Sequence, residues 1–266
     1  MKIREVSCKS ALSYSRLPGY RYALNPYRGC SHGCKYCYAS AVLRETRPWG
    51  DFVDAKRNLP VLLARELKKK EKGVVGIGTV TDGYQPIERR YRITRMSLEL
   101  LLKNDFPVSI QTKSSLILRD IELLCKFEEI NVGFTLTTLN EKWRRVFEPG
   151  ASSPHERLAA MRELSSRGIR TWAFIGPILP LVTEENLEGL LSSIKDANAS
   201  EVLVDKLNLK RDTWKKLEPV LTEHGMKETW WSILKNDRGY FEKIANQIFR
   251  ACRTKGINCL SAFRGA

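Results

Sequence analysis

The chain has no uninterrupted apolar run of 18 residues, so nothing in it is expected to span a membrane. Its opening residues, Met1-Lys2-Ile3-Arg4-Glu5-Val6-Ser7, lack the apolar core of a secretory leader. No internal repeat, low-complexity tract or Ser/Gly-rich linker interrupts the 266 residues, a length that suits a single α/β barrel. A second Cys-x-x-Cys is missing, as is any His-x-x-x-His pair, which leaves a four-ligand structural zinc site without its usual set. Acidic residues are scarce, with 30 Asp plus Glu against 45 Lys plus Arg and a formal charge of +15. That imbalance points to a polyanionic partner such as nucleic acid, or to an acidic substrate. Basic side chains on a solvated surface account for it as well. Seven cysteines, an odd count with three of them clustered, fit a reducing cytoplasm better than a disulfide framework. The hydrophobic share of 42% is enough for a real core.

What is present is a regular alternation. Short β-branched runs lie at 74–80, 107–112, 130–136, 169–175 and 201–207, with a further strand expected at Arg21-Tyr22-Ala23-Leu24. Helix-like segments near 94–104, 118–127, 154–167 and 184–196 separate them. Ser153-Pro154 supplies an N-cap and a first-turn proline, and Gly168 closes that helix. Thr183 with Glu185 is expected to open the next. Near-continuous apolar strands between helices indicate a parallel sheet buried on both faces. After about residue 210 the alternation fades into a helical tail with Trp214, Trp230, Trp231 and Tyr240. Those aromatics are read mainly as closing the open edge and base of a barrel.

The most specific feature is Asn25-Pro26-Tyr27-Arg28-Gly29-Cys30-Ser31-His32-Gly33-Cys34-Lys35-Tyr36-Cys37-Tyr38. Gaps of three and then two residues let a short glycine-containing loop fold three thiolates around one face of a cubic iron–sulfur cluster. Such clusters usually take four cysteines, so three leave one iron open for another ligand. His32 lies inside the loop, where completing a zinc tetrahedron would be strained. A second motif, Gly78-Thr79-Val80-Thr81-Asp82-Gly83-Tyr84-Gln85-Pro86, leaves the end of a strand. Its small and hydroxyl residues allow a ligand close approach to the backbone, although an ordinary Asp-Gly turn would look the same.

The loop, with Tyr36 before its last cysteine, resembles the signature of the radical S-adenosylmethionine (SAM) enzymes. That resemblance implies a [4Fe-4S] cluster whose open iron chelates SAM and whose electron cleaves it to a 5′-deoxyadenosyl radical. It also implies a partial (β/α)6 barrel over residues 1–210, with 211–266 a helical extension packed on it. Thr79-Val80-Thr81-Asp82-Gly83-Tyr84-Gln85-Pro86-Ile87-Glu88, Thr94-Arg95, Thr112-Lys113-Ser114, Phe147-Glu148-Pro149-Gly150 and Arg157-Leu158 follow in order. In this the chain is similar to an uncharacterised branch related to spore photoproduct lyase, often labelled DNA repair photolyase. The likeness covers about residues 8–205. It implies that Tyr36, Thr79, Thr81, Lys113, Thr135 and Thr137 hold SAM, with Lys113 against its carboxylate, and that Cys30, Cys34 and Cys37 hold the cluster. One departure is plain. Spore photoproduct lyases use a donor cysteine after the second strand, whereas no cysteine lies here between Cys37 and Cys125.

Of the remaining thiols, Cys125 is expected in the core beside Ile121 and Leu124. Cys8, Cys252 and Cys259 are read as free structural cysteines, with an auxiliary cluster or a hydrogen donor as the alternative. Lys68-Lys69-Lys70-Glu71-Lys72 is expected to cap a helix end, with a phosphate contact as the alternative. Arg89, Arg90, Arg92 and Arg95 are expected at the mouth of the site. The reading is of a cytoplasmic enzyme with no membrane association, reduced by an electron-donor protein and acting on a nucleic acid or nucleotide. A peptide or small anionic metabolite is the alternative substrate. A non-catalytic iron–sulfur protein that binds nucleic acid is the alternative from another class.

Overall fold

The computed structural model of the chain describes residues 1–209, 211–236 and 239–262; the other positions, within or beside the expected tail, lie outside the described residues. In chain order the strands are β1 (Lys2–Val6), β2 (Leu12–Tyr14), β3 (Tyr22–Leu24), β4 (Tyr27–Arg28) and β5 (Phe52–Lys56). There follow β6 (Val75–Ile77), β7 (Val108–Thr112), β8 (Ile130–Thr135), β9 (Arg170–Ile178), β10 (Glu201–Lys206) and β11 (Asn258–Ser261). Eight of them form one sheet in the order β11-β10-β9-β8-β7-β6-β3-β2. Every strand expected from the sequence is there, and they stand side by side in parallel register. The sheet is open, as a partial barrel should be, with β2 and β11 at its edges. Neither edge strand was foreseen. β2 is antiparallel to β3 and only three residues long. β11 shows that the tail adds a parallel strand as well as helices.

Side-chain alternation separates the two faces of the sheet. Val75, Ile77, Val108, Ile110, Val132 and Phe134 are fully or almost fully buried against the helices. The opposite face carries small and polar residues. Ser109 donates to Asn131 at 2.6 Å, and the Trp172 indole donates to the same Asn131 oxygen at 2.9 Å. Gly133 is paired with Trp172, and a Cβ there would come within 2.2 Å of the indole. The concave side therefore closes around an aromatic ring at one end and is left open at the carboxyl ends of the strands.

Helix Ile93–Lys103 forms as expected, and Pro154–Ser166 begins with the Ser153–Glu156 capping box. The 184–196 segment starts later, at Leu187, with Asn186 as its cap. The Thr183 hydroxyl instead accepts from the Leu179 amide at 2.9 Å. The 118–127 stretch is a 3-10 turn, Ser115–Asp120, followed by one helical turn, Ile121–Leu124. That turn stops before Cys125, which is exposed rather than in the core. The lysine run 68–72 likewise falls beyond its helix, Leu59–Glu66. Glu66 itself accepts the Ala11 and Leu12 amides at 2.8 and 2.9 Å and so fixes β2. The helix Glu141–Phe147 was not anticipated. Among the described residues no helix is long and apolar enough to cross a membrane.

Helices Arg211–Glu223, Lys227–Asn236 and Tyr240–Lys255 make up the tail before β11. Trp230 is fully buried and stacks on Phe147 with centroids 5.6 Å apart, among Cys34, Tyr36, Leu217 and Leu221. Its neighbour Trp231 is 41% exposed. Cys252 and Cys259 hydrogen-bond each other, and the Cys8 thiol donates to Asn58 at 3.4 Å, which gives each a structural setting. Trp230→Ala should lower the unfolding free energy by about 3–5 kcal/mol in urea titration. Trp231→Ala should cost no more than about 1.5 kcal/mol. Comparable losses for the two would contradict this packing.

Candidate functional site

The cysteine loop begins where β4 ends. Gly29 turns the chain with φ +84°, and a Cβ there would lie 2.4 Å from the Phe52 carbonyl oxygen, so only glycine fits. Cys30 and Cys34 are buried and Cys37 is half-buried. The loop is gripped from several sides. Thr81 donates to the Gly29 carbonyl at 2.7 Å, and Gln85 accepts the Ser31 amide at 2.9 Å. The Lys35 amide donates to Phe147 O and the Gly150 amide to His32 O, both at 2.9 Å. From the tail, Lys216 donates to the Cys37 carbonyl and to Ser40.

Two buried carboxylates organise the surroundings. Asp82 accepts the Tyr84 amide, the Thr112 hydroxyl and the Lys113 amide, each at 2.8 Å, and faces His32 Nδ1 at 3.3 Å. Burial alone would raise its pKa, but His32 and Lys113 hold it at about 2. Glu148 accepts from the Tyr36 hydroxyl, from Arg157 and, at 3.4 Å, from Thr137. Burial opposes its ionisation too, and Arg157 with Lys113 keeps its pKa below the usual value. Arg157 also reaches the Thr135 and Ser152 carbonyls, both at 2.9 Å.

Lys113, at the carboxyl end of β7, is half-buried, with Nζ 5.9 Å from the Tyr36 ring centroid. Burial would lower its pKa, yet Cys34, Glu148 and Asp82 together raise it, so the cation is well supported. Burial pushes the Cys34 thiol up to about 12 against the pull of Lys113, and the Cys30 thiol rises well above its usual value. Iron would take these sulfurs as thiolates, because a coordinating thiol is deprotonated outright. Three soft donors on a firmly held loop beside a half-buried cation fit an anionic thiolate-bound cluster. Among the described residues no three His, Cys, Asp or Glu side chains converge on a single ion. A cubane asks for no such convergence, since each cysteine binds a different iron.

The residues expected to hold SAM are partly brought together. Tyr36, Lys113 and Thr137 meet around Glu148, and the buried Thr135 hydroxyl accepts from Gln111 at 3.4 Å on the concave face. Thr79 and Thr81 instead use their hydroxyls within the protein, Thr79 with Asn25 at 2.9 Å and Thr81 with Gly29. Arg95 does not stand at a mouth, because it bonds Asp120 at 2.8 Å and Glu122 at 2.7 Å. Arg89, Arg90 and Arg92 are exposed, and Arg89 borders a cleft of about 420 Å³ with His32, Ser114 and Ser152. Sequence reasoning assigned no role to Asp82, Gln85, Glu148 or Arg157, although all four lie inside the motifs that carry the resemblance.

Comparison with known proteins identifies the family. The sequence model of the Radical SAM superfamily matches residues 24–194. An uncharacterized protein of Methanocaldococcus jannaschii is 36% identical over 68% of this chain and 69% of its own. Another, of Mycobacterium tuberculosis strain H37Rv, is 34% identical over 79% of this chain and 66% of its own length. Spore photoproduct lyase, solved with a dinucleoside spore photoproduct, superposes with TM-score 0.74 over 98% of this chain and 82% of its own, at 15% identity. The chain belongs to the radical SAM superfamily and is an enzyme of that kind. Membership implies an iron–sulfur cluster and SAM as its cofactors.

Asp82 gives a pH test. Its folded pKa is depressed from 3.8 to about 2, so its contribution is complete above pH 4 and is lost as pH falls towards 2. The stability gap between wild type and Asp82→Asn, from urea unfolding, should shrink by about 2 kcal/mol across that window. A gap that stays constant from pH 5 to pH 2 would refute the assignment.

Proposed function

Starting from that membership, we propose that Cys30, Cys34 and Cys37 ligate a [4Fe-4S] cluster and that Lys113 binds the SAM carboxylate. The carrying observation is the placement of Lys113 at a strand end, where Cys34 and two buried carboxylates support its charge. When bound and reduced, the cluster supplies the electron that cleaves SAM and so generates a radical able to take hydrogen from a substrate. The protein's part is positional. Tyr36, its hydroxyl on Glu148, fixes the loop next to its last cysteine. Thr137 shares Glu148, and Thr135 offers a hydroxyl towards the ribose or carboxylate of SAM from the concave face. Thr81 and Thr79 act on SAM indirectly, by shaping the loop and the turn after β6. The burial of Cys30, Cys34 and Tyr36 limits the water that could quench a radical there.

The substrate we infer is a nucleic acid or nucleotide. The formal charge of +15 supports this, as does the dinucleoside held by the similarly folded lyase. Thymine-photoproduct repair is not part of the proposal. The turn after β6 carries Val80 and Thr81 and no donor cysteine. An electron-donor protein of the cytoplasm would reduce the cluster.

Anaerobically reconstituted protein should bind about four irons, lost in each of Cys30→Ala, Cys34→Ala and Cys37→Ala and kept in Cys125→Ala. Stoichiometric zinc without iron would sink the proposal. Lys113→Ala should weaken SAM binding by about 1.5–3 kcal/mol, read by calorimetry on the reconstituted protein. Wild-type protein reduced with dithionite should release 5′-deoxyadenosine slowly even without substrate. An intact reduced cluster that releases none would favour a non-catalytic binding protein. Nucleic-acid affinity should fall steeply with salt, and charge reversal at Arg89 and Arg90 should flatten that slope. No binding at low salt would redirect the search to a peptide or small anionic metabolite.

A further inference from the structure

Two consecutive tryptophans on the helix Lys227–Asn236 have opposite fates. Trp230 is fully buried against Phe147, behind the cysteine loop. Trp231, about 100° further round the helix, presents a 41% exposed indole to solvent. A tryptophan is among the largest apolar side chains, and nothing in the packing of Trp230 obliges its neighbour to be aromatic. Trp231 is also not isolated. The indole of Trp214, on the adjacent helix Arg211–Glu223, lies 4.9 Å from it, centroid to centroid, with the planes tilted by 47°. Lys235, one helical turn beyond Trp231, holds its Nζ 4.5 Å from the same ring centroid and is itself exposed.

We propose that Trp231 and Trp214, with Lys235, form a docking surface for a single nucleic-acid strand. This rests on the nucleic-acid reading of the substrate and says where the strand outside the reacting nucleotide is held. Ring pairs of this kind stack on bases of any sequence, because every base has a π-face, and a cation beside the ring is placed to meet the phosphate that follows. The surface is fixed to the site through its own helix. Lys216, on the same helix as Trp214, donates to the Cys37 carbonyl and to the Ser40 hydroxyl. The helix that carries Trp214 is thereby anchored to the loop with the candidate cluster ligands. The formal charge of +15 complements such a strand. A duplex fits poorly, because its base faces are already stacked on one another.

The test is equilibrium anisotropy of a labelled single-stranded oligodeoxynucleotide of mixed sequence, with its duplex as control, at low and moderate salt. Trp231→Ala should weaken single-strand binding roughly tenfold at both salt concentrations, since stacking releases no counterions. Trp231→Phe should recover most of the loss, because phenylalanine keeps a stacking face. Lys235→Ala should weaken binding less and should reduce the salt slope. Duplex affinity should not change in Trp231→Ala. Far-UV circular dichroism and iron content check that the variants are folded. Undiminished single-strand binding by folded Trp231→Ala overturns this docking surface while leaving the nucleic-acid reading in place. Duplex binding that is equally sensitive to Trp231→Ala overturns it too, by removing the stacking contact. Wild-type protein that binds neither probe at low salt overturns the nucleic-acid reading itself.

Discussion

Two buried carboxylates, Asp82 and Glu148, are the constraint on which the rest of the site depends. An ionised carboxylate out of water is costly unless donors and opposite charge surround it. Here those donors come from separate parts of the chain. Asp82 gathers groups from the end of β7, from its own turn and from the cysteine loop. Glu148 gathers Tyr36 of that loop, Thr137 beyond β8 and Arg157 of a helix. The loop is thereby set relative to the strand ends by charge that has nowhere else to go. The placement of Lys113 follows, since its backbone amide is one of the Asp82 donors and its ammonium lies among the same groups.

The sheet was readable in the sequence because its strands are buried on the helix-facing side. Runs such as Val108–Thr112 and Arg170–Ile178 carry the β-branched and apolar residues that such burial requires. Edge strands β2 and β11 were not readable. They are short, mostly exposed and held by contacts from far away, as Glu66 holds β2. The cysteine loop was legible from spacing alone. Its supports were not, because nothing local in Glu148 announces that Tyr36 lies 112 residues earlier and beside it. Cys125 shows the limit of periodicity: Ile121 and Leu124 matched a helical face with it, but the helix stops at Leu124. Of the arginines after the second motif, Arg95 misled for a related reason. Arg95 is answered by Asp120 and Glu122, which the sequence places beyond another strand.

That observation bears on the charge of the whole chain. Arg95, Arg119 and Arg157 are matched inwardly by Asp120, Glu88 and Glu148. Each inward pair removes one basic and one acidic group, so the surplus of +15 is undiminished by them. It must reside on the solvated surface, where Arg89, Arg90, Arg92 and Lys235 are found. A net charge thus says more about the exterior than a count of basic residues does, because the interior enforces its own neutrality.

Gly150 carries a consequence for how such a loop can be altered or moved. A single methyl at its Cα would lie 2.2 Å from the Ser31 carbonyl oxygen and 3.0 Å from the His32 Cα. Its amide meanwhile donates to His32. The two backbones are in direct contact over a sequence distance longer than many whole domains. The three-cysteine loop is therefore not a portable cassette: grafted onto another barrel without the 147–150 turn, it would lose the wall it is moulded against. Redesign of either strand of backbone has to treat both as one template, copied together or not at all.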